Sequence, residues 1–529
     1  MLTRLVNFFL PHGSRTRTYV ARQKVRIKRH RVFAFDTRRY NTYRHIYYRT
    51  QIVPAVSETV KFSIVVPCFN TSVFYLNQLL DSVYAQKYSN WELILVDASS
   101  IDKISSQIEL LSQNDTRVRY LKIINQGIAA NTNVGIEAAS GDYVCFLDHD
   151  DTLDPGALAE NALVINKHPK ADLIYSDEDK IDDSGEYYSN PHYKPGFSID
   201  LLRSVNYITH FVVTRIDLVK EVGGIRLGFD GAQDYDFLLR IVDKTRHIYH
   251  IPKVLYHWRQ AEGSTSRDFN LKKNVTDAGV RALDDHFKRN SIKATAYALK
   301  GRPGFYGSIY DLSSANRAIY IVTPDNELQK IKDYIKKSYI KLATTGKIKV
   351  DIHTITSIDE VDTKRYEYVL LVQGRITPTE KDGSLNSMFG IVENGSRYSS
   401  VKLVSNNRIY DSGYIKQKYG FMPLFLGLDP ALPMHFGSSE WNRNVDGLST
   451  LLVCLAAKDI TNIKKNDLII AENEIMTLFG QFQYHIFSPL EPASQDPSEN
   501  TGFNSNLAHG TDPRVLIMDD ITPYIKVKK

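Results

Sequence analysis

The chain has 529 residues, of which 43% are hydrophobic and 24% charged, a balance typical of an ordinary soluble globular protein that can bury large cores. Its three cysteines, Cys68, Cys145 and Cys454, lie far apart, which excludes a disulfide framework and indicates a reducing compartment. No apolar run approaches the roughly 20 residues that cross a bilayer, and LVNFFLP at the N-terminus is too short for a secretory signal, so we expect neither a transmembrane helix nor export.

The net charge of +6 is unevenly distributed. Residues 1–50 contain thirteen lysines and arginines against the single acid Asp36, and the rest of the chain is net acidic. The stretch RTRTYVARQKVRIKRHRVF alternates basic with apolar and aromatic residues. Near anionic lipid each such basic side chain contributes about 1 kcal/mol. We therefore predict that residues 1–50 bind an anionic membrane surface, and we favour this over nucleic-acid binding and over a solvated helix.

Strands and helices alternate from residue 61 onward. KFSIVVPCFN, WELILVDASS, VRYLKIIN and YVCFLD read as strands, and VFYLNQLLDSVYAQ, IELLSQN and GIAANTNVGIEAA read as the helices between them. Because the strands are almost wholly apolar, we predict an α/β fold with a mostly parallel sheet covered by helices on both faces. Ligands bind beyond the carboxyl ends of such strands. Polar residues follow those ends at Asn70, Asp97, Asn125 and Asp148–Asp151.

The stretch CFLDHDDTLDP (145–155) places three carboxylates and an imidazole directly after the fourth strand. Like charges repel and are costly to desolvate unless a cation accompanies them. Asp148 and Asp150 provide the hard oxygen ligands that Mn²⁺ or Mg²⁺ prefers, often shared with substrate phosphates. The alternative is a solvated acidic turn in which Asp154 caps a helix that begins at Pro155.

Residues 172–300 have a mixed pattern, and a second unit begins near residue 313. RAIYIVTP, LQKIKDYIKKSYIKLA, KIKVDIHTI and YEYVLLVQG repeat the strand–helix–strand order. YVLLVQGRITP (368–378) resembles YVCFLDHDDTLDP (143–155), and VSNNRIYDSG (404–413) resembles SDEDKIDDSG (176–185), at offsets of 225 and 228 residues. We therefore predict a duplicated second domain that lacks the chemistry, because Gln373-Gly374-Arg375 replaces Asp148-His149-Asp150.

FSIVVPCFN, WELILVDASS, NQGIAANTNVGIEAASGDYVCFLDHDD, GAQDYDFLLR and YHWR with GSTS resemble, in this order over roughly 60–270, the family 2 glycosyltransferases. SDEDKID and NYITH look like the bacterial subset that builds O-antigen, capsule or exopolysaccharide. The resemblance implies a GT-A fold, a nucleoside-diphosphate sugar donor (a UDP-sugar rather than a dTDP-sugar) and inversion at the anomeric carbon. The implied acceptor is a hydroxyl of a growing surface glycan carried on polyprenyl, with other glycosyltransferases as further partners.

The resemblance also implies the site residues. Asp97 matches the position that contacts the nucleobase, and the other matches on the nucleotide side are Pro67, Phe69, Asn70, Asn131, Asn133, Asp148 and His149. The implied metal ligands are Asp148, Asp150 and His257. The acid-Asp pair that supplies the general base is here Gln233-Asp234, so Asp234 inherits that role, with Asp236 as the fallback. Acceptor contacts are assigned to Asp177, Glu178 and Asp179, with a solvated turn as the alternative.

We divide the chain into a membrane-associating segment (1–57), a GT-A domain (58–300), a degenerate glycosyltransferase-like domain (301–490) and a tail (491–529). The predicted location is cytoplasmic, on the inner face of the plasma membrane. A non-catalytic subunit that binds a glycan or nucleotide sugar is the alternative function. A sugar nucleotidyltransferase is disfavoured because PCFNTSVFYL lacks a glycine-rich, basic loop for a triphosphate.

Overall fold

The computed structural model describes residues 38, 40–47, 56–101, 104–260, 271–323, 326–373, 376–378, 383–405, 408–411, 414–417, 420–423, 442–444, 448–449, 451–463, 469–470 and 476–486. Several predictions fall outside these residues, namely those on 1–37, the GSTS motif (263–266), Gly374, Arg375 and 491–529. Within the described part, no helix has both the length and the apolar character needed to cross a bilayer. The chain divides into two compact units, unit 1 (1–194, 208–227 and 245–269) and unit 2 (195–207, 228–244 and 270–529).

The described residues form the following helices and strands, given in chain order. The first part contains β1 (Phe62–Cys68), α1 (Val73–Tyr84), β2 (Trp91–Asp97), α2 (Ser105–Asn114), β3 (Val118–Lys122), α3 (Ile128–Ala138), β4 (Tyr143–Phe146), β5 (Thr152–Leu153), α4 (Ala157–Lys167), β6 (Leu173–Ile181), β7 (Tyr188–His192), α5 (Ile199–Leu202), β8 (Val212–Arg215), α6 (Ile216–Glu221), α7 (Gln233–Lys244) and β9 (Ile248–Arg259). The second part contains α8 (Leu271–Arg289), β10 (Ala294–Ala298), β11 (Tyr306–Tyr310), β12 (Arg317–Val322), α9 (Gln329–Thr345), β13 (Asp351–Ile355), β14 (Tyr368–Gln373), β15 (Ile376–Pro378), α10 (Ser384–Glu393), β16 (Tyr398–Ser405), β17 (Arg408–Asp411), β18 (Tyr414–Gln417), β19 (Gly420–Pro423), β20 (Asn442–Asn444), β21 (Leu448–Ser449), β22 (Leu452–Ala456), β23 (Ile469–Ile470) and β24 (Met476–Ile486).

Unit 1 is built on one sheet in the order β3-β2-β1-β4-β8-β6-β9-β5, with β7 paired to β6. The first four strands in the chain pair in parallel, whereas β8 is antiparallel to β4 and β6. Every residue of β2 is buried, because helices cover both faces of the parallel part. The α/β fold with a mostly parallel sheet is therefore confirmed.

Local signals explain why the helices form where they do. Ser72 caps α1 by accepting a hydrogen bond from the Phe74 N–H, and the buried face of α1 carries Leu76, Leu79, Leu80 and Val83. Against β1, α3 approaches so closely that a Cβ on Gly135 would lie 2.4 Å from Val65 Cγ1. These contacts fix the carboxyl ends of β1, β2 and β4 at one edge of the sheet, where the predicted site residues lie.

Unit 2 contains a second sheet in the order β13-β12-β14-β22-β16-β24-β15, with β17 paired to β16. Read strand by strand, this order repeats β2-β1-β4-β8-β6-β9-β5 with β7, including the parallel and antiparallel sense of each pair. The two sequence matches fall on corresponding strands, β14–β15 with β4–β5 and β16–β17 with β6–β7. This agreement supports an internal duplication.

The second sheet differs from the first between β13 and β14. The described residues there contain only the 3₁₀ turn Ile358–Glu360, and no counterpart of α2, β3 or α3. Those elements in unit 1 carry Asn131 and Asn133. The second sheet therefore has no described element that corresponds to α3, the helix that carries Asn131 and Asn133 in unit 1.

The division into units differs from the predicted domain boundary at residue 300. The helix α7, which carries Asp234, and the helix α8 pack against each other and belong to unit 2. At the other end, residues 40–47 are helical and belong to unit 1. This helical segment lies inside the stretch predicted to bind a membrane.

Candidate functional site

The acidic stretch after β4 forms a tight turn, in which the Asp151 N–H donates to the Asp148 carbonyl at 3.1 Å. The side chain of Asp148 is 47% exposed, whereas Asp151 is fully buried. Burial, with Asp148 as a like-charged neighbour, raises the pKa of Asp150 above its ordinary value despite the opposing influence of His149. Of the two predicted metal ligands, Asp148 is thus accessible, whereas the ionised form of Asp150 is destabilised by its surroundings.

Asp151 has a different environment from its two neighbours. It accepts hydrogen bonds from Tyr256 Oη at 2.5 Å and from the Arg259 N–H at 2.7 Å. Burial raises the pKa of Asp151 well above its ordinary value. Arg259 also donates through Nε to the Asp150 carbonyl at 2.6 Å. Asp151 and Arg259 are therefore buried, and their hydrogen bonds connect the acidic turn to β9.

His210 lies beside the acidic turn, and the sequence analysis gave it no role. Its Nε2 is 3.8 Å from Asp148 Oδ2, and its Nδ1 is 3.1 Å from Glu178 Oε2. Its ring stacks on Tyr256, with centroids 4.7 Å apart. Burial alone would lower the pKa of His210, but Glu178, with Asp148 and Asp151, raises it to about 9. An imidazolium thus sits next to the accessible carboxylate.

The three carboxylates predicted to contact an acceptor lie within β6 and are buried, with exposures of 2%, 5% and 0% for Asp177, Glu178 and Asp179. Asp177 accepts from the Lys194 N–H and lies 2.8 Å from His250 Nε2. Burial opposes ionisation of Glu178, but Lys194, His192 and His210 hold its pKa well below its ordinary value. The solvated-turn alternative is wrong, and this burial argues against acceptor contact.

His257, predicted as a metal ligand, is 1% exposed. Its Nδ1 lies 2.5 Å from Asp179 Oδ1, and its Nε2 lies 3.4 Å from the guanidinium of Arg44. Arg44 itself is buried and forms ion pairs with Asp154 at 3.1 Å and Asp179 at 3.6 Å. A guanidinium so close to the ring is incompatible with a cation at Nε2, so the geometry does not fit His257 as a ligand.

Asp97 lies at the end of β2 and is fully buried. It accepts hydrogen bonds from Lys122 Nζ at 2.7 Å, Tyr120 Oη at 3.0 Å and the Ser99 N–H at 2.9 Å. Burial alone would raise its pKa, but these donors together lower it. Lys122, which is 43% exposed, is the accessible member of this pair, and the predicted contact of Asp97 with a nucleobase stays a prediction.

Three further residues that were predicted to lie on the nucleotide side differ in their surroundings. Phe69 is 45% exposed at the end of β1, directly after the pair Pro67–Cys68, so a ligand can reach it. Asn70, at a φ of 50°, accepts through Oδ1 from the Ser100 N–H and so joins the loops after β1 and β2. His149 has a buried Nδ1 that meets no hydrogen-bond partner in the described chain.

Asn131 and Asn133, on α3, make hydrogen bonds within unit 1. Asn131 donates to Asn125 Oδ1 at 2.9 Å and so orders the loop before α3. Asn133 donates to the Ile225 carbonyl at 2.7 Å and accepts from the Ile225 N–H at 2.8 Å. Both amides hold loops at this edge of the sheet, and their predicted contacts with ribose and sugar stay predictions.

Asp234 lies in the first turn of α7, in unit 2. The Asn206 amide donates to its Oδ2 at 2.9 Å. Gln233, which replaces the acid of the family pair, instead accepts from the Gly231 N–H at 2.6 Å. The fallback base Asp236 is fully buried and forms an ion pair with Arg240 at 2.9 Å. Asp234 is thus the less buried of the two aspartates, and its role as general base stays a prediction.

The donor set after β4 fits a divalent cation only in part. Across the described residues, no three His, Cys, Asp or Glu side chains are grouped closely enough to hold an ion. Asp148 and Asp150 still provide two carboxylates, one of them accessible. A cation between them would offset the burial and the Asp148 charge that together raise the pKa of Asp150. Mg²⁺ and Mn²⁺ sites with one or two carboxylates are completed by substrate phosphates and water.

Sequence reasoning missed Arg44, His210 and Asn206. Arg44 pairs with Asp154, which is 110 positions away in the sequence, and Asn206 pairs with Asp234, which is 28 positions away. A local sequence pattern does not reveal contacts at such separations. The motif NYITH (206–210), which resembles the bacterial subset, begins with Asn206 and ends with His210. That motif was the available signal.

Comparisons with known proteins show which proteins the chain is similar to. The family model described as "Glycosyl transferase family 2" matches residues 63–223. The O-antigen biosynthesis protein RfbC of Myxococcus xanthus is 41% identical over 247 residues, covering 46% of this chain and 19% of that protein. The amylovoran biosynthesis glycosyltransferase AmsB of Erwinia amylovora is 26% identical over 306 residues, covering 54% of this chain and 99% of its own.

Two further comparisons complete this set. An uncharacterized protein of Sinorhizobium fredii is 38% identical over 287 residues, covering 54% of this chain and 32% of that protein. The chain thus spans about a third of this relative and about a fifth of the Myxococcus protein. The structure of Staphylococcus aureus TarS 1–349 in complex with UDP-GlcNAc shares 19% identity at a TM-score of 0.35, covering 44% of this chain and 72% of that one.

Proposed function

We propose that this chain, whose residues 63–223 match the family model described as "Glycosyl transferase family 2", transfers a sugar from a nucleoside-diphosphate donor to a hydroxyl of a growing bacterial surface glycan, with inversion at the anomeric carbon. The observation that carries the proposal is the pair Asp148 and Asp150 at the carboxyl end of β4 within this domain. Relatives named for O-antigen and amylovoran biosynthesis support the surface-glycan class of acceptor.

Asp148 and Asp150 would hold Mn²⁺ or Mg²⁺ against the donor diphosphate, and the ion would neutralise the charge that develops there. Asp97 with Lys122 would meet the base of a UDP-sugar, which we favour over a dTDP-sugar. Phe69, exposed at the end of β1, would contact the nucleotide from the same edge.

In the reaction, the acceptor oxygen forms a bond to the anomeric carbon while the bond from that carbon to the diphosphate oxygen breaks. The electron pair leaves with the nucleoside diphosphate. A hydroxyl is a weak nucleophile, so its proton passes to a carboxylate, for which we propose Asp234. General bases of this kind typically contribute about 10²–10⁴-fold.

The test is release of nucleoside diphosphate from a panel of UDP- and dTDP-sugars, with membrane extract as the acceptor source, in Mn²⁺ or EDTA. We expect metal-dependent release from one donor, reduced at least about 100-fold in Asp150→Asn. The matched control is Asp81→Asn, which removes an exposed acid of α1 and should leave release unchanged. Binding of UDP without release from any donor would favour the non-catalytic binding subunit instead.

The membrane-binding proposal applies to the basic residues that precede the helical segment 40–47, because Arg44 is buried. Polyprenyl-linked acceptors lie at the membrane, so a basic segment would keep the chain near them. Co-sedimentation with anionic vesicles tests this. We expect binding by the full chain and loss of binding when the four basic residues Arg22, Lys24, Arg26 and Lys28 are replaced by alanine. Equal binding of both proteins would contradict the proposal.

A further inference from the structure

The side chain of Asn206 is placed in an energetically unfavourable way. Its Nδ2 donates to Asp234 Oδ2 at 2.9 Å, while its Oδ1 is buried and has no hydrogen-bond partner in the part of the chain that is described. A buried acceptor without a partner destabilises a fold. An apolar side chain of the same shape would avoid that penalty, so stability alone does not account for asparagine at this position.

The backbone around Asn206 is held without the help of its side chain. The Tyr306 N–H donates to the Ser204 carbonyl at 2.8 Å, and Val205 forms an antiparallel bridge with Phe305. Tyr235, next to Asp234 on α7, donates to the Leu202 carbonyl at 2.5 Å. All these contacts lie within unit 2. The segment before α7 is therefore anchored independently, and the Asn206 amide is left to contact Asp234.

The neighbour of Asp234 in sequence does not provide this contact. Gln233 bonds to the backbone of the loop before α7, through the Gly231 N–H. An amide N–H that donates to one carboxylate oxygen fixes the rotation of the carboxylate about its Cβ–Cγ bond. In this way the Asn206 amide sets the direction in which the oxygens of the Asp234 carboxylate point.

From these contacts we propose that Asn206 is a positioning residue, which orients the Asp234 carboxylate for the acceptor hydroxyl. The inference rests on the proposed function, because it requires that Asp234 receives a proton. Asn206 then acts through Asp234 and need not contact donor or acceptor. Its removal should slow transfer and leave the binding of the nucleotide unchanged.

The experiment compares the full chain with Asn206→Leu, Asn206→Asp, Asp234→Asn and the matched control Asn290→Leu. Asn290 donates to Asp243 at 2.7 Å, an amide–carboxylate pair of the same kind at the other end of α7. Three quantities are measured: UDP release from the active UDP-sugar with membrane extract, UDP affinity by calorimetry, and the urea midpoint of unfolding.

For Asn206→Leu we expect kcat to fall roughly 10- to 100-fold, the contribution typical of a hydrogen bond to a charged group. The UDP affinity should stay within about twofold, and the urea midpoint should stay equal or rise, since the unpaired Oδ1 is gone. Asn206→Asp should lose more activity than Asn206→Leu, because it places a like charge against Asp234. Asn290→Leu should keep full activity.

The proposal is overturned if Asn206→Leu retains wild-type kcat while Asp234→Asn loses it. A purely structural role, which would also overturn it, would lower the urea midpoint and the UDP affinity together with kcat. If the wild-type chain binds UDP but releases none from any donor, the proposed function and this inference fail together. That result can be distinguished from one in which the wild type is active and Asn206→Leu has the same kcat, because only the latter leaves the proposed function intact.

Discussion

Replacing Arg44 with methionine should destabilise unit 1 by about 3–5 kcal/mol, the usual effect of removing one partner from a buried ion pair. The side chains of Arg44, Asp154 and Asp179 are 3%, 0% and 0% exposed. Asp179 would keep its contacts with His257 and Tyr40. Asp154 would lose the guanidinium and keep the Gly156 N–H as a donor.

The assay is urea unfolding followed by tryptophan fluorescence, to which Trp91 and Trp258 in unit 1 contribute. The control is Arg38→Met, which removes an exposed arginine from the same N-terminal region and should change stability by less than about 0.5 kcal/mol. The double variant Arg44→Met with Asp154→Asn should recover part of the loss. If Arg44→Met costs no more than Arg38→Met, the helical segment 40–47 does not contribute to unit 1 as described.

Two further changes test the packing and the charges of unit 1. Gly135→Ala should cost about 1–3 kcal/mol in urea unfolding, since its Cβ would lie 2.4 Å from Val65 Cγ1. The comparison variant is Gly196→Ala in unit 2, whose Cβ would meet no atom within 4 Å and which should be neutral. The pKa of His210 is raised from 6.5 to about 9, so the stability it contributes is complete below pH 6.5 and is lost as the pH rises through 9, by up to roughly 3 kcal/mol. His210→Gln should flatten that part of the stability–pH curve, and an equally steep curve in the variant would contradict the contact with Glu178.

The sequence predicted those features that repeat locally. The strands β1 to β4 are short apolar runs that end in polar residues, and the helices between them carry apolar residues at helical spacing, so their order and sense followed. The position of Asp148 and Asp150 at a strand end followed for the same reason. The repeated strand order of the second sheet was visible as two short matches at similar offsets.

The rest depended on contacts between residues far apart in the chain. An acidic tripeptide such as Asp177-Glu178-Asp179 reads as a solvated turn unless its partners are known. Those partners come from three other segments, with Lys194 and His210 on Glu178 and Arg44 on Asp179. Basic residues at the N-terminus were assigned to a membrane by composition alone, which does not distinguish a buried arginine from a surface one.

The missing counterpart of β3 has a consequence for the second sheet. In unit 1, β2 is covered by β3, but in the described part of unit 2 the equivalent strand β13 has a partner on one side only. Unpaired strand edges can join the edges of other chains and start aggregation. Asp351 on β13 is half-exposed and pairs with the exposed Arg365 at 2.8 Å, and charges of this kind discourage such pairing. A strand that is interior in the first sheet thus corresponds to an edge strand in the second, whose exposed backbone must be kept from pairing with other chains.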